Sequence, residues 1–532
     1  MKFFNTAGPV NRDKHYKIDP LHRWDLDEIL LLIQQEKYFV LHAPRQTGKT
    51  SCLLALCDYL NNEKQYNCVY ANFEAGQTAR ADVAEGISAV LSELHGRIID
   101  TLNIEIPFLV NEIITTNGSH KALNAYLNAI TKLLNKPLVL FIDEIDSLVG
   151  DTLISVLRQL RSGYDTRPGS FPVSVILCGV RDIKDYRIRT SGQEIITGGS
   201  AFNIKAKSLR LGNFTKEDVK TLLLEHTKET GQVFEDNVAP YIYNETDGQP
   251  WLVNAIAYEL TFEMKENRDY KVVLTKEMTE VARNRVILSR ATHLDQLADK
   301  LSEDRVRRVI LPMLQNIEAK SNTDDKQYCI DLGLIKSSSK GLVIANNIYR
   351  EIIPRELTES RQDDFLMRFS PDWVSEDGSM DTEILFNMFT QFWRENSEIW
   401  ASSIAGYQEA APHLVFQAYL QRVANGGGYV FREYGLGRGR TDLMLKWSPS
   451  ASSGTGANEQ RIVIELKVYS KGVSLKALKE KALVQTLEYA KKLGSTENHI
   501  IIFDRDDQTD WREKLYTETC EFEGESFKIW GV

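Results

Sequence analysis

The sequence predicts a multidomain α/β protein: a three-layer sandwich with a parallel sheet between helices, then a second, smaller α/β domain. Three observations predict this fold class. A short loop joins an apolar strand to a helix that begins near Gly48. A second apolar strand ends in two adjacent carboxylates, Asp143 and Glu144. Far downstream, a strand that carries Glu465 and Lys467 follows a hairpin that contains Asp442.

The composition is that of an ordinary globular protein, with 42% hydrophobic and 26% charged residues in 532. This length predicts about two to four domains. There is no apolar run of about 18 residues and no signal-peptide core, so we expect a cytoplasmic protein without a membrane partner. Six scattered cysteines without a Cys-x-x-Cys pair indicate neither a disulfide framework nor a zinc site. The formal net charge of −10 leaves room for one local basic surface but not for a uniformly basic one.

The first element is a strand, loop and helix unit built around Gly48. Apolar residues 38–41 predict the strand, and helical periodicity resumes from Gly48 to Leu56. Free backbone N–H groups and the positive end of the dipole make this helix start suitable for a phosphate chain. Lys49 would reach the β- and γ-phosphates, and the Thr50 hydroxyl would bind Mg²⁺. Ala43 replaces the first glycine of the usual spacing, which requires a negative φ there. The residues expected to contact the nucleotide in this loop are Pro44, Arg45, Gln46, Thr47, Gly48, Lys49, Thr50 and Ser51.

The segment before this unit, residues 1–24, has two interpretations. Tyr16 and Arg23 could stack on a nucleotide base, or the segment could be a strap on the core. Apolar spacing from Asp25 to Gln34 then predicts a short helix that leads into the first strand.

The next strands build the sheet and its acidic edge. Residues 67–73 form a second strand candidate, helical patterns follow at 80–98 and 111–134, and residues 137–143 form a fully apolar strand. Buried adjacent carboxylates are costly without a cation. We therefore expect Asp143 to bind Mg²⁺ and Glu144 to polarise the attacking water.

A helix at 153–161 and strands at 171–179 and 203–211 complete five strands with helical crossovers, which predicts a right-handed parallel sandwich. Arg158, Arg161 and Arg181 compete as a sensor of the γ-phosphate or as a finger that acts on a neighbouring subunit of a homo-oligomer. Arg181 ranks first because it follows a strand on the nucleotide side. An ordinary ion pair is the alternative for each of them.

The sequence Ala43-Pro-Arg-Gln-Thr-Gly-Lys-Thr50, the acidic strand 141–146 and Gly248-Gln-Pro250-Trp-Leu-Val-Asn254 together resemble bacterial AAA-like ATPases of the STAND-related branch, over about residues 1–360. The resemblance implies ATP as the nucleotide, a P-loop core at 25–212 and a helical lid at 213–294 in which Pro250 approaches the nucleotide. A plain turn between two helices also explains Pro250.

Two helices at 305–314 and 324–334 and a β-ribbon at 334–345 predict a winged helix at 295–360. Such modules bind DNA, and in STAND-like ATPases they often close against the nucleotide instead. The predicted recognition helix is acidic between Asp324 and Asp331, which disfavours contact with phosphates. We therefore expect a packing role.

Residues 361–404 are the expected linker, and residues 405–532 the second domain. A helix at 409–423 and a glycine-rich stop precede the hairpin, in which Asp442 begins the second strand. Strand alternation puts Glu465 and Lys467 on one face, while Leu466 points into the core. Carboxylates on neighbouring strands beside a lysine make an oxygen site for Mg²⁺, as phosphodiester hydrolysis requires.

Asp442, Glu465 and Lys467 resemble the signature of the PD-(D/E)XK nuclease superfamily over about residues 405–510, with Thr441 in place of its proline. The resemblance implies a restriction-endonuclease-like fold, an orienting role for Gln485, with Tyr489 in the same motif, and an extra acid at Glu409. An exposed strand with alternating charges is the alternative.

The charge distribution favours nucleic acid as the partner of this domain. Residues 432–492 hold twelve lysines and arginines against six aspartates and glutamates, in a chain that is acidic as a whole. Arg438 and Arg440 would contact phosphates without reading sequence.

The hypothesis is an ATPase half that controls a C-terminal Mg²⁺-dependent DNase, a pairing that resembles bacterial ATPase–nuclease proteins suspected of defence against foreign DNA. The alternative is a nucleotide-switched scaffold whose nuclease-like domain binds DNA or a partner without cleavage. A transposition or repair factor with the same chemistry is the third reading.

Overall fold

The computed structural model describes residues 1–182, 187–189, 195–289, 297, 299–314, 322–339, 341–359, 373–375, 379–403, 416, 419–420, 428–436, 439–447, 459–469, 474–504 and 509–532. The chain forms two compact units, which are described separately. Met1–Ile310 and Ala319–Arg350 form the first unit, and Leu311–Glu318 and Glu351–Val532 form the second. Within the described residues, no helix is long and apolar enough to span a lipid bilayer.

The first unit contains the five-stranded parallel sheet that the sequence predicts, and its strand order is β2-β3-β4-β1-β7. Every residue of β3 and β4 is buried, because helices cover both faces of the sheet. The strands of this sheet are β1 (Tyr38–His42), β2 (Asn67–Asn72), β3 (Leu138–Asp143), β4 (Ser174–Gly179) and β7 (Lys205–Arg210). A separate two-stranded ribbon pairs β5 (Arg187–Arg189) with β6 (Ile195–Thr197).

Strand alternation divides the core of the first unit into two apolar layers. Tyr38 and Val40 of β1 pack in one layer, and Phe39 and Leu41 pack in the other. Each fully buried side chain of this size contributes about 1.5–3 kcal/mol of transfer free energy. The helices that form these layers are α1 (Leu26–Gln34), α2 (Lys49–Asn62), α3 (Val83–Leu102), α4 (Val110–Asn117), α5 (Ser119–Leu133), α6 (Gly150–Ser162) and α7 (Gly198–Ala201).

The helical pattern predicted for residues 111–134 is two helices, not one. Gly118 separates α4 from α5 with a φ of +73°, a conformation that glycine adopts without a steric cost. The predicted helix at 80–98 begins instead at Val83, because the Asp82 side chain accepts hydrogen bonds from the N–H groups of Ala84 and Glu85.

Two helical segments follow the sheet. The range predicted as a lid contains α8 (Lys216–Thr230), α9 (Val238–Thr246), α10 (Pro250–Tyr258) and α11 (Lys276–Leu288). The range predicted as a winged helix contains α12 (Asp304–Leu314), α13 (Thr323–Asp331), the antiparallel strands β8 (Ile335–Ser338) and β9 (Gly341–Ile344), and α14 (Asn347–Glu359). The second predicted helix ends at Asp331 rather than Leu334, because Gly333 turns the chain with a φ of +75°.

The second unit contains a mixed six-stranded sheet in the order β10-β11-β12-β13-β15-β14. Strands β10, β11 and β12 pair antiparallel, β12, β13 and β15 pair parallel, and β14 pairs antiparallel with β15. The strands are β10 (Gly428–Leu436), β11 (Gly439–Trp447), β12 (Gln460–Tyr469), β13 (Glu497–Asp504), β14 (Tyr516–Phe522) and β15 (Glu525–Gly531). Asp442 therefore lies inside β11 and not at its start.

Two long helices cover opposite faces of this sheet. Helix α15 (Thr382–Ser403) packs Phe386 and Phe389 with Ile464 of β12, whereas α16 (Leu475–Leu493) packs with Ile500 of β13. A short helix, α17 (Trp511–Lys514), precedes β14.

The prediction of a linker at 361–404 is therefore wrong for its second part. Residues 382–403 form α15, whose aromatic side chains belong to the core of the second unit. The predicted helix at 409–423 lies almost entirely outside the described residues, and Glu409 is outside them.

His499 of β13 is buried beneath α15 and holds one tautomer. Its Nδ1 accepts a hydrogen bond from Trp530 Nε1 at 3.1 Å, and its Nε2 lies 3.3 Å from Glu497 Oε2. An indole N–H can only donate, so the histidine proton resides on Nε2. Burial lowers the pKa of His499, and Glu497 opposes this shift only in part.

Acid is therefore expected to destabilise the second unit. The unfolded chain has a histidine pKa near 6.5 and binds more protons than the folded chain as the pH falls below that value. The free energy of unfolding should fall by at most about 1.4 kcal/mol for each pH unit below this range. The measurement is the urea concentration at which the second unit is half unfolded, at pH 7.5 and at pH 5.5. Pulse proteolysis gives the unfolded fraction, with peptides from β13 as the readout. His499→Gln keeps a donor and an acceptor but does not titrate. If this variant loses as much stability between pH 7.5 and 5.5 as the wild type, His499 is not the cause of the acid sensitivity.

Candidate functional site

A cavity of about 370 Å³ lies in the first unit, next to the start of α2. Three parts of the unit line it: the P-loop (residues 43–50) with the first turn of α2, the N-terminal residues 5–23, and the start of α10. Glu74 and Glu144 add two carboxylates from the residues that follow β2 and β3. Carboxyl ends of parallel strands meet at the same edge of a sheet, which is why the sequence could place Glu144 here.

The P-loop has the backbone that its sequence predicts. Gly48 has a φ of +90° and Gln46 a φ of +58°, whereas Ala43 is not among the residues with a positive φ, as its methyl group requires. The Thr47 hydroxyl donates to Pro44 O at 2.7 Å. Lys49 is buried and its Nζ donates to Ala43 O at 3.1 Å and to Pro44 O at 3.2 Å. The ammonium group is thus held inside the loop, where a phosphate chain would lie.

Asp143 has the surroundings of a ligand to a divalent cation. It is fully buried, and its Oδ2 accepts hydrogen bonds from Thr50 Oγ1 at 2.8 Å and Tyr70 Oη at 2.9 Å. Its Oδ1 accepts the backbone N–H of Glu144 at 2.9 Å. A buried carboxylate beside a hydroxyl is a donor set that fits Mg²⁺, which Thr50 and Asp143 would hold. The sequence did not indicate Tyr70 as a site residue, although it lies in a predicted strand, which pairs with β3 in the structure.

Glu144 has a strained backbone, and the pKa of its carboxyl group is raised. Its φ of 53° and ψ of 38° are left-handed, which non-glycine residues adopt rarely. Burial raises the pKa of Glu144, the charge of Asp146 raises it further, and Lys49 acts in the opposite direction. The Asp146 carboxylate in turn accepts the N–H of Val180 at 3.2 Å, which ties this acidic turn to the end of β4.

The N-terminal segment forms one wall of the cavity, and the sequence did not indicate its contacts. Trp251 Nε1 donates to Thr6 O at 2.8 Å, and Val10 N donates to Ser51 Oγ at 2.9 Å. These two bonds fasten residues 5–10 to α10 and to the P-loop helix. No local sequence pattern marks them, because they join residues up to 245 positions apart.

Tyr16 and Arg23 act as anchors of this strap and also line the cavity. The Tyr16 hydroxyl lies 3.2 Å from His226 Nδ1 in the α8 helix. Arg23 donates to Thr47 O at 3.1 Å and its guanidinium lies 4.6 Å from the centroid of the Phe214 ring. The strap interpretation of residues 1–24 describes these contacts, and stacking on a base stays a prediction.

Pro250 begins α10 and lines the cavity. The preceding Gly248 has a φ of +67°, and a Cβ there would lie 1.9 Å from Phe214 O, so only glycine fits. The Gln249 side chain accepts the N–H of Leu252 at 2.6 Å, which caps the helix. Pro250 therefore lies at a turn between two helices and beside the cavity, and its approach to a nucleotide stays a prediction.

The three candidate sensor arginines do not meet at the cavity. Arg158 and Arg161 are exposed on α6. Arg181 is buried outside the cavity lining, where its Nε lies 3.5 Å from Asp331 Oδ2 and its guanidinium lies 4.8 Å from the Tyr328 ring centroid. A role for Arg181 at the γ-phosphate stays a prediction.

The residues of the predicted nuclease motifs lie on β11, β12 and α16, whereas Arg438, like Glu409, lies outside the described residues. Lys467 Nζ donates to Glu465 Oε1 at 2.6 Å, and Glu465 is only 3% exposed. Asp442 and Glu465 each lie one residue beyond the registered pair Leu443↔Ile464 of the antiparallel strands β11 and β12. The side chain of Asp442 lies outside the described residues. Among the side chains that the structure does describe, no three histidines, cysteines or carboxylates form a metal cluster.

Gln485 and Tyr489 lie on α16, which packs against β12 and β13. Tyr489 is buried. The Oε1 atom of Gln485 is buried and accepts no hydrogen bond from the part of the chain that the structure describes.

Comparisons with known proteins found solved structures that are distantly similar to this chain. Among solved structures, a Walker-type ATPase (PABY2304) of Pyrococcus abyssi is 15% identical, with 66% of this chain and 99% of that chain covered and a TM-score of 0.44. Cdc6p from Pyrobaculum aerophilum is 15% identical, with 67% and 97% covered and a TM-score of 0.37. The Thermotoga maritima RuvB Holliday junction branch migration motor is 13% identical, with 65% and 94% covered and a TM-score of 0.32.

The curated proteins contain no match to this chain. The AAA-like domain family, in contrast, matches residues 27–354, which include the P-loop, the acidic strand β3 and the winged-helix range. The protein therefore belongs to the AAA-like domain family and carries a P-loop ATPase domain.

Proposed function

We propose that the first unit hydrolyses ATP with Mg²⁺, and that its nucleotide cycle controls a Mg²⁺-dependent nuclease in the second unit that hydrolyses DNA. The AAA-like domain family supports the ATPase half. The nuclease half depends on the buried pair of Glu465 and Lys467, which is the observation that carries it. A role in defence against foreign DNA and a homo-oligomeric state stay predictions.

The ATPase chemistry follows from the residues around the cavity. The N–H groups at the start of α2 and the Lys49 ammonium bind the phosphate chain. Bound Mg²⁺ would neutralise charge on the β- and γ-phosphates. Glu144 faces the cavity with a raised pKa, so its carboxylate can orient a water molecule and accept its proton.

The pair on β12 is unusual for a purely structural ion pair. Glu465 is almost inaccessible to water and Lys467 only partly exposed. Because taking two charges out of water costs several kcal/mol per ion, such pairs are weak contributors to stability. Their combination of an anionic oxygen and a cation within 2.6 Å suits a site that binds a metal ion and a phosphate.

Neighbouring residues complete the proposed site. The strand register puts Asp442 on the strand beside Glu465, so both residues would hold Mg²⁺, and bound Mg²⁺ would polarise the phosphodiester. Lys467 would position or deprotonate the attacking water. Gln485, whose buried Oε1 has a free acceptor site among the described contacts, would orient the residues of the site. The excess of six positive charges in residues 432–492 favours DNA as the substrate.

The alternative is a nucleotide-switched scaffold that binds DNA or a partner without cutting it. One observation favours it: Lys467 already satisfies a Glu465 oxygen, as it would in a structural ion pair.

Plasmid cleavage by the full chain, with Mg²⁺ and either ATP, ADP or a non-hydrolysable ATP analogue, tests the function. We expect metal-dependent cleavage whose rate differs between nucleotides. Cleavage that is identical in every nucleotide state would refute the control by ATP. DNA binding without cleavage in any state would support the scaffold.

A further inference from the structure

Arg181 directly follows Gly179 and Val180, which bond from the end of β4 to the P-loop and to the acidic turn after β3. Gly179 O accepts the N–H of Ala43, the first residue of the P-loop, at 3.2 Å. Val180 N donates to Asp146, in the acidic turn after Glu144, at 3.2 Å. The backbone of Arg181 is therefore fixed beside the nucleotide site, while its long side chain can point elsewhere.

That side chain points to α13 of the winged-helix range. Its Nε lies 3.5 Å from Asp331 Oδ2, and its guanidinium carbon lies 4.8 Å from the Tyr328 ring centroid. Asp331 is 1% exposed, and its Oδ1 accepts a hydrogen bond from Gln327 Nε2 at 2.9 Å. A carboxylate so far from water needs a cationic partner, and Arg181 lies within ion-pair distance of it.

Two further contacts dock the C-terminal end of α13 on the ATPase domain. Arg210 Nη2, at the end of β7, donates to Ile330 O at 2.9 Å. Gly333 packs directly on the P-loop, since a Cβ at this position would lie 2.8 Å from Pro44 Cγ. The segment 322–339, called here the winged-helix latch, thus contacts the P-loop, the Arg181 side chain and the end of β7.

We propose that Asp331 withholds Arg181 from the γ-phosphate of ATP, so that the docked latch restrains hydrolysis. This inference rests on the proposed ATPase function. One guanidinium cannot make full bidentate contacts with both a carboxylate and a phosphate group. ATP binding and docking of the latch therefore compete for the same cation. By thermodynamic linkage, ATP weakens docking as much as docking weakens ATP binding.

Asp331→Asn tests the proposal because it keeps the shape of the side chain and removes its charge. ATP turnover should rise at least about fivefold, within the usual range of coupling between sites. Arg181→Gln should lower turnover, and adding Asp331→Asn to it should have no further effect, because the residue that is released is then missing. Asp324→Asn is the matched control, since Asp324 lies on the same helix and pairs with Arg305 at 3.4 Å. Its turnover should equal that of the wild type.

Hydrogen exchange of the wild-type protein gives a second test that needs no variant. Peptides from 322–339 should exchange faster with a non-hydrolysable ATP analogue than with ADP. Equal exchange in both states overturns the proposal, as does a folded Asp331→Asn protein whose turnover is unchanged or lower. If the wild type hydrolyses no more ATP than Lys49→Ala, the ATPase function is refuted instead. The hydrogen-exchange comparison would still show whether ATP weakens docking of the latch.

Discussion

Replacing Glu144 by glutamine is expected to lower ATP turnover by about 100- to 10,000-fold, the usual contribution of a positioned general base. ATP binding should persist, because the phosphate contacts come from Lys49 and the N–H groups of the P-loop. Glutamine has nearly the same shape but cannot accept a proton from water. The measurement is the rate of phosphate release at saturating ATP, together with the affinity for a fluorescent ATP analogue.

Glu74→Gln is the matched control for this substitution. Glu74 is the other carboxylate that lines the cavity, but it is exposed. It comes after β2, whereas Glu144 directly follows Asp143 at the end of β3. We expect a change in turnover of less than about tenfold for this variant, since it does not neighbour the Mg²⁺ ligand. A large loss with Glu74→Gln and a small one with Glu144→Gln would reverse the assignment of the base.

Lys467→Ala and Asp442→Ala should each lower DNA cleavage by more than about 100-fold, because charge stabilisation at such sites is worth several kcal/mol. ATP turnover should persist in both variants, since neither residue belongs to the ATPase site. The assay is the initial rate of plasmid cleavage at saturating Mg²⁺, with phosphate release measured on the same samples.

Lys528→Ala separates a lost active site from lost surface charge. Lys528 belongs to the same sheet and pairs with Glu383 of α15 at 2.8 Å, on the face opposite to α16. This variant should cleave at nearly the wild-type rate. If it loses as much activity as Lys467→Ala, the effect of both substitutions is electrostatic attraction of DNA and not chemistry.

Local sequence patterns predicted the five strands of the ATPase sheet well, and the contacts of the P-loop residues with phosphates stay predictions. The alternation of Tyr38 to Leu41 and the fully apolar run before Asp143 identify buried parallel strands, and in the structure Thr50 bonds to Asp143 at the ends of these strands. The predicted linker was wrong at α15. Its aromatic residues are spaced for a buried helical face, but the polar residues around them hid that pattern.

The sequence by itself determined the strand, loop and helix unit around Gly48 and the apolar strand that ends at Asp143, because neighbouring residues within each element carry its pattern. Only the tertiary structure decided which distant side chains hold these elements in place. Tyr70 bonds to Asp143, Trp251 bonds to Thr6, and Arg181 pairs with Asp331 across 150 positions of sequence. The physical reason is that each bond depends on how whole elements pack, and a single sequence contains no local pattern that specifies a partner at such a distance.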